Sequence, residues 1–147
     1  MEENMIGEYK TFDSKLYNIH DNVKKNILDY FAQKGVKATI NEDKYGPDLI
    51  VVIDSQEYYC EVQQKMAWKG DNFPYKELNI EERKEKFLKL DKPIFFCVVN
   101  AEKTHALFTS GKIVSGCPKK SVSNKNISHG ELFFRVPIER TKKVRII

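Results

Sequence analysis

Gly46-Pro47-Asp48-Leu49-Ile50-Val51-Val52-Ile53-Asp54-Ser55-Gln56-Glu57-Tyr58-Tyr59-Cys60-Glu61-Val62-Gln63-Gln64-Lys65 is the stretch on which the fold turns. Residues 48–54 form a near-continuous apolar run, the pattern of a buried strand. Residues 57–65 alternate in character, as a strand with two different faces does. A hairpin whose turn is centred between Asp54 and Ser55 sets Asp48 opposite Glu61. Opposed residues of an antiparallel pair share a face, with Cβ atoms about 5 Å apart. The period of two adds Gln63 and Lys65 to that face. The predicted hairpin thus delivers two carboxylates, an amide and an ammonium to one patch of sheet.

Two carboxylates converging at a strand end repel each other unless a cation sits between them. Hard oxygen ligands suit Mg²⁺ or Mn²⁺, which keep waters and take further ligands from a phosphate. Such an ion generates hydroxide near neutral pH and stabilises a pentavalent phosphate transition state. The plainer alternative has Asp48 capping the turn after Pro47 and Glu61 solvated on an edge.

Outward from the hairpin, Asp13 or Ser14 can cap a helix whose apolar residues Leu16, Ile19, Val23, Ile27, Tyr30 and Phe31 recur at helical spacing. Gly35 ends it. Residues 36–40 (VKATI) read as a strand and 41–47 as a turn-rich link. On the other side, 66–78 reads as loop. Glu77 or Asn79 then opens a charged helix through IEERKEKFLKL, with Ile80, Arg83, Phe87 and Leu88 inward. Pro93 starts a strand, PIFFCVVN, buried on both faces. Further strands are predicted at 105–109, 112–114, 131–136 and 143–147. This order predicts one α/β domain over 1–147, a central mixed sheet flanked by helices with extra C-terminal strands.

The composition agrees with a globular chain: 147 residues, 41% hydrophobic and 31% charged. The net charge of +4 hides an asymmetry, since residues 1–75 carry 9 basic and 13 acidic side chains and 76–147 carry 16 and 8. A basic half beside an acidic half suits a polyanion on one side and a metal-binding cluster on the other. Cys60, Cys97 and Cys117 lack metal-ligand spacing, and the first two lie in strand-like apolar runs, as small buried hydrophobes do. His20, His105 and His129 share no ligand spacing, which argues against zinc or a histidine-based nucleophile. The apolar runs are too short to span a bilayer and MEENMIGEYK lacks the character of a leader, so a cytoplasmic location without membrane contact is expected.

Pro47-Asp48, followed by Glu61-Val62-Gln63 between two helices, resembles the PD-(D/E)xK nuclease superfamily. The resemblance covers about 14–100 and implies a restriction-endonuclease-like core of helix, three-stranded meander, helix and fourth strand. Residues 101–147 would then be a basic extension. Trp68-Lys69-Gly70-Asp71-Asn72-Phe73-Pro74-Tyr75-Lys76, with Asn79-Ile80 and Glu82-Arg83-Lys84-Glu85-Lys86-Phe87 after it, is similar to small nuclease-like proteins carried by phages.

The resemblance implies a metal-dependent DNA endonuclease in which Asp48, Glu61 and the backbone carbonyl of Val62 bind Mg²⁺ or Mn²⁺. Gln63 stands where most members have lysine and cannot supply positive charge. Lys65, one pleat further on, can compensate, as can Arg83 or Lys84 from the following helix. Where many members place a glutamate in the first helix, this chain has Lys24, with Asp21 the nearest acid. A structure-selective substrate (junction, flap or nick) is expected, and a homodimer would fit paired cuts. The rival expectation is a nuclease fold that has lost its chemistry and binds nucleic acid or protein.

Trp68, interleaved with Lys69 and Lys76, offers a ring for unpaired bases among phosphate-holding ammoniums, or else an anchor to the core. Residues 103–147 hold ten basic and two acidic side chains. Lys119 and Lys120 lie in a polar stretch there and are expected to track phosphates without reading bases.

Overall fold

The computed structural model describes residues 22–121 and 131–147. The first helix, α1, is described over 22–33; its expected start, with Asp13, Ser14 and Asp21, lies outside the described residues. Gly35 adopts φ 73°, the left-handed conformation that glycine reaches without steric cost. There Val36 N–H returns to Phe31 O at 2.8 Å, closing α1 as predicted.

Strands β1 (Lys37–Ile40), β2 (Leu49–Ile53) and β3 (Gln56–Gln64) form an antiparallel meander. The hairpin has the predicted register: Ile53 pairs with Gln56 and Leu49 with Cys60. Asp54 and Ser55 make the turn with φ 51° and 69°, positive at both central positions as a two-residue type I′ loop requires. Strand β5 (Ile94–Val99) joins β3 in parallel, and β6 (His105–Ser110) and β9 (Lys142–Arg145) complete a six-stranded sheet in the order β1-β2-β3-β5-β6-β9. Helix, meander and a fourth strand parallel to the third make a mixed α/β core in the predicted order.

Each face of this sheet carries its own core. On one, Val23, Ile27 and Phe31 of α1 pack against Leu49, Val51, Cys60, Val62 and Cys97. The two cysteines are fully buried apolar packing, as read from the sequence. On the other face the expected long helix is replaced by sheet. Residues Glu77–Glu81 form β4, which pairs with β8 (Leu132–Pro137), itself paired with β7 (Lys119–Ser121). Only Glu82–Lys89 is helical, as a 3-10 helix. Leu78 and Ile80 alternate into the core beside Phe134 and Val136. Period two, completed by a distant partner strand, overrides the helix-favouring charged residues.

Two further expectations are corrected. Residues 112–114 lie in a short helix, α2 (Gly111–Ser115), because the Ser110 side chain accepts from Ile113 N–H at 3.1 Å and caps its start. Trp68 has no exposed surface; its ring meets Phe73 edge-on and its indole N–H donates to Asp71 O. It is core, so it presents no face to a base. Among the described residues, no helix is long and apolar enough to cross a membrane.

Candidate active site

The site forms where β3 outruns β2. Strand β2 begins at Leu49, opposite Cys60, so residues 61–64 pair only with β5. Alternate residues of a strand direct their backbone groups to opposite edges. Tyr59 and Lys65 send their N–H groups to Pro93 O and Val99 O, toward β5. Val62 therefore faces the vacated edge, where its N–H donates to Asp48 Oδ2 at 2.8 Å. Asp48 N–H in turn donates to Glu61 Oε1 at 3.2 Å. The side chain of Asp48 thus caps the open ladder, and its carboxylate lies beside that of Glu61. The Val62 carbonyl shares the edge of its N–H.

Two lysines hold this pair. Lys24 of α1 approaches Asp48 Oδ1 at 3.3 Å. Lys84 of the 3-10 helix lies 3.3 Å from Glu61 Oε2 and 3.4 Å from Glu81 Oε1, and it donates to Gln63 Oε1 at 2.8 Å. It is 8% exposed, and three acceptors fix its ammonium. In a 3-10 helix the period is three residues, which places Lys84 and Phe87 together on the inward side. Arg83, expected inward from a helical period, instead points to solvent and pairs with Glu81 Oε2.

Electrostatics divide the two glutamates around Lys84. Burial, and then the neighbouring Asp48 carboxylate, push the Glu61 pKa up to about 7, with Lys84 offsetting part of the rise. Burial also acts upward on Glu81, but Lys84 and Arg83 outweigh it and hold that carboxyl below its ordinary value. The pair at Asp48 and Glu61 is therefore short of positive charge despite two lysines. This fits one divalent ion. The donors are the Asp48 and Glu61 carboxylates and the Val62 carbonyl, all hard oxygens. Among the described residues of α1, the side chain that reaches the pair is an ammonium, Lys24, not a further acid.

The remaining sequence candidates are dispersed. Lys65 leaves the carboxylates and sets its ammonium over the Tyr75 ring, 5.2 Å from the centroid. Lys69, Lys76, Arg83 and Lys120 are exposed. Lys119, also exposed, pairs with Glu82 at 3.0 Å and Glu85 at 3.4 Å. In sequence, a nine-residue strand keeps Lys65 on the face of Glu61, whereas nothing in the charged run marks where strand gives way to 3-10 helix. The Lys24 contact was not foreseen either, since it depends on how α1 docks.

No protein-family model and no curated protein matches this sequence. Among solved structures, the chain is similar to Hjc, a Holliday junction resolvase from the archaeal hyperthermophile Archaeoglobus fulgidus, determined at 1.6 Å resolution. The two are 9% identical, with a TM-score of 0.49, over 85% of this chain and 82% of that one.

Proposed function

We propose that this chain is a divalent-metal-dependent endonuclease that hydrolyses DNA phosphodiester bonds. The observation that carries the reading is the convergence of Asp48, Glu61 and the Lys84 ammonium on the open end of β3. Asp48, Glu61 and the Val62 carbonyl would hold Mg²⁺ or Mn²⁺. Once bound, that ion supplies a water of lowered pKa and offsets charge on the phosphate. Lys84 performs what Gln63 cannot, placing a fixed positive charge beside Glu61 for the phosphate oxygens. Gln63 acts as its holder, through the 2.8 Å hydrogen bond to the ammonium. Lys24 orients the Asp48 carboxylate through Oδ1, while Val62 N–H holds Oδ2.

One observation favours a second reading. Lysines already sit on both carboxylates, and a scaffold that satisfied its acids this way binds nucleic acid or protein without metal. Labelled linear, nicked, flapped and four-way DNA, incubated with Mg²⁺ or Mn²⁺, separates the two. The nuclease reading expects metal-dependent cutting that disappears in Asp48→Ala and Glu61→Ala, with the preferred substrate giving the structural class. Folded protein that binds these DNAs and cuts none with either metal supports the metal-free scaffold.

A further inference from the structure

A cleft of about 960 Å³ opens past Gln63, between the end of β3 with its following turn and the outer face of the β4-β8 sheet. On β4 and β8 the alternation that sends Leu78, Ile80, Phe134 and Val136 to the core turns Asn79, Phe133 and Arg135 into the cleft. Among the described residues, three buried side-chain polar atoms have no hydrogen-bond partner: Gln64 Oε1, Asn79 Oδ1 and Arg135 Nε. All three residues line this cleft. Buried polar groups are nearly always satisfied, so three orphans around one cavity point to a ligand that completes them.

The donor pattern narrows that ligand. The Gln64 amide nitrogen serves two carbonyls, Asn100 O at 3.3 Å and Ala101 O at 3.0 Å, which fixes Oε1 as the end turned toward a donor. Asn79 and Arg135 are register partners across β4 and β8, so an amide acceptor, Asn79 Oδ1, and a guanidinium donor, Arg135 Nε, stand side by side, with Arg135 Nη2 held by Glu77 Oε1 at 2.6 Å. A phosphate brings acceptors only and would leave Gln64 Oε1 unmet. The edge of an unpaired nucleobase carries donors and acceptors together. At the rim, Tyr75 is 50% exposed; the Lys65 ammonium lies over one face of its ring, where a base that stacked there would displace it and find the cation alongside.

We infer that the cleft receives an unpaired nucleobase, and that the substrate is DNA carrying a single-stranded segment beside the bond to be cut. Gln64, Asn79 and Arg135 meet the base edge, and Tyr75 stacks on it. This rests on the nuclease reading for the location of the scissile bond, and the test separates the two.

Binding is measured without metal, in chelator, by fluorescence anisotropy of a fully paired duplex and of the same duplex with a short unpaired flap. Wild type should favour the flap by roughly tenfold or more, the scale of one stacked base. The preference should shrink severalfold in Tyr75→Ala and in Asn79→Ala, with folding checked by circular dichroism. A 2-aminopurine in the flap should change fluorescence on binding wild type and not Tyr75→Ala. Equal affinity for the two DNAs overturns the inference, as does a preference that both variants retain. Because no cutting is read, a chain that prefers the flap yet never cleaves DNA keeps the cleft and loses the nuclease. A chain that cuts without any flap preference does the reverse.

Discussion

The two halves of β3 obey different rules. Over Gln56–Cys60 the strand pairs with β2, and its buried residue Cys60 joins Leu49 and Val51 under α1. From Glu61 onward β2 is gone, β5 is the remaining partner, and the side chains include a carboxylate and two amides. The first half is fixed by apolar burial and a backbone ladder. In the second half side chains do the ladder's work: Asp48 takes the Val62 N–H that another strand would have taken. The candidate site sits where pairing lapses, because there a backbone edge stays open beside converging charged groups.

Substitutions in the two halves should differ in cost. Leu49→Ala, in the apolar half, should cost about 2–5 kcal/mol in urea unfolding, the usual cost of emptying a filled core site. Gln63→Ala should cost only about 1 kcal/mol, one hydrogen bond to a lysine that keeps two carboxylate partners. Equal losses would erase the distinction.

The second half should also carry a pH signature in metal-free protein. Unfolded Glu61 releases its proton near its ordinary 4.5, whereas the folded group holds it to about 7. The stability linked to that proton is whole below about pH 4.5 and is lost as pH rises through about 7, amounting to a few kcal/mol. Urea titrations of wild type and Glu61→Gln across this range should show the slope in the first and its absence in the second. A wild-type curve as flat as that of the variant would contradict the assigned burial and repulsion.

Lys84→Met should leave the hairpin half intact and reduce metal-dependent cleavage roughly 100-fold, the scale of one lost electrostatic contact to a transition state. Lys65→Met, whose ammonium rests on Tyr75, should reduce it much less. The opposite ranking in single-turnover cleavage would return the phosphate contact to Lys65. The smallest effect is expected at the turn, where Ser55→Gly relieves a positive φ and should raise stability by about 1 kcal/mol or less.

The first half of β3 was legible because its determinants are local. Apolar runs, one turn and period two were enough to set Leu49 against Cys60 and so to bring Asp48 next to Glu61. What escaped depends on partners far along the chain. Strand β4 exists because β8, more than fifty residues later, covers Leu78 and Ile80. Lys84 reaches Glu61 because β4 ends at Glu81 and a 3-10 turn resets the facing. Trp68, interleaved with Lys69 and Lys76, reads in sequence as a base-stacking ring. It is core because β4, β8 and Phe73 close over it, which its neighbours in sequence do not reveal.

If the proposed function holds, the open end of β3 binds one divalent ion through Asp48 and Glu61. Calorimetric titration of folded wild type with Mn²⁺ at pH 7.5, alongside Asp48→Asn and Glu61→Gln, tests it most directly. Wild type should bind one ion per chain and neither variant any. No heat of binding in wild type, or binding unchanged in both variants, would contradict it.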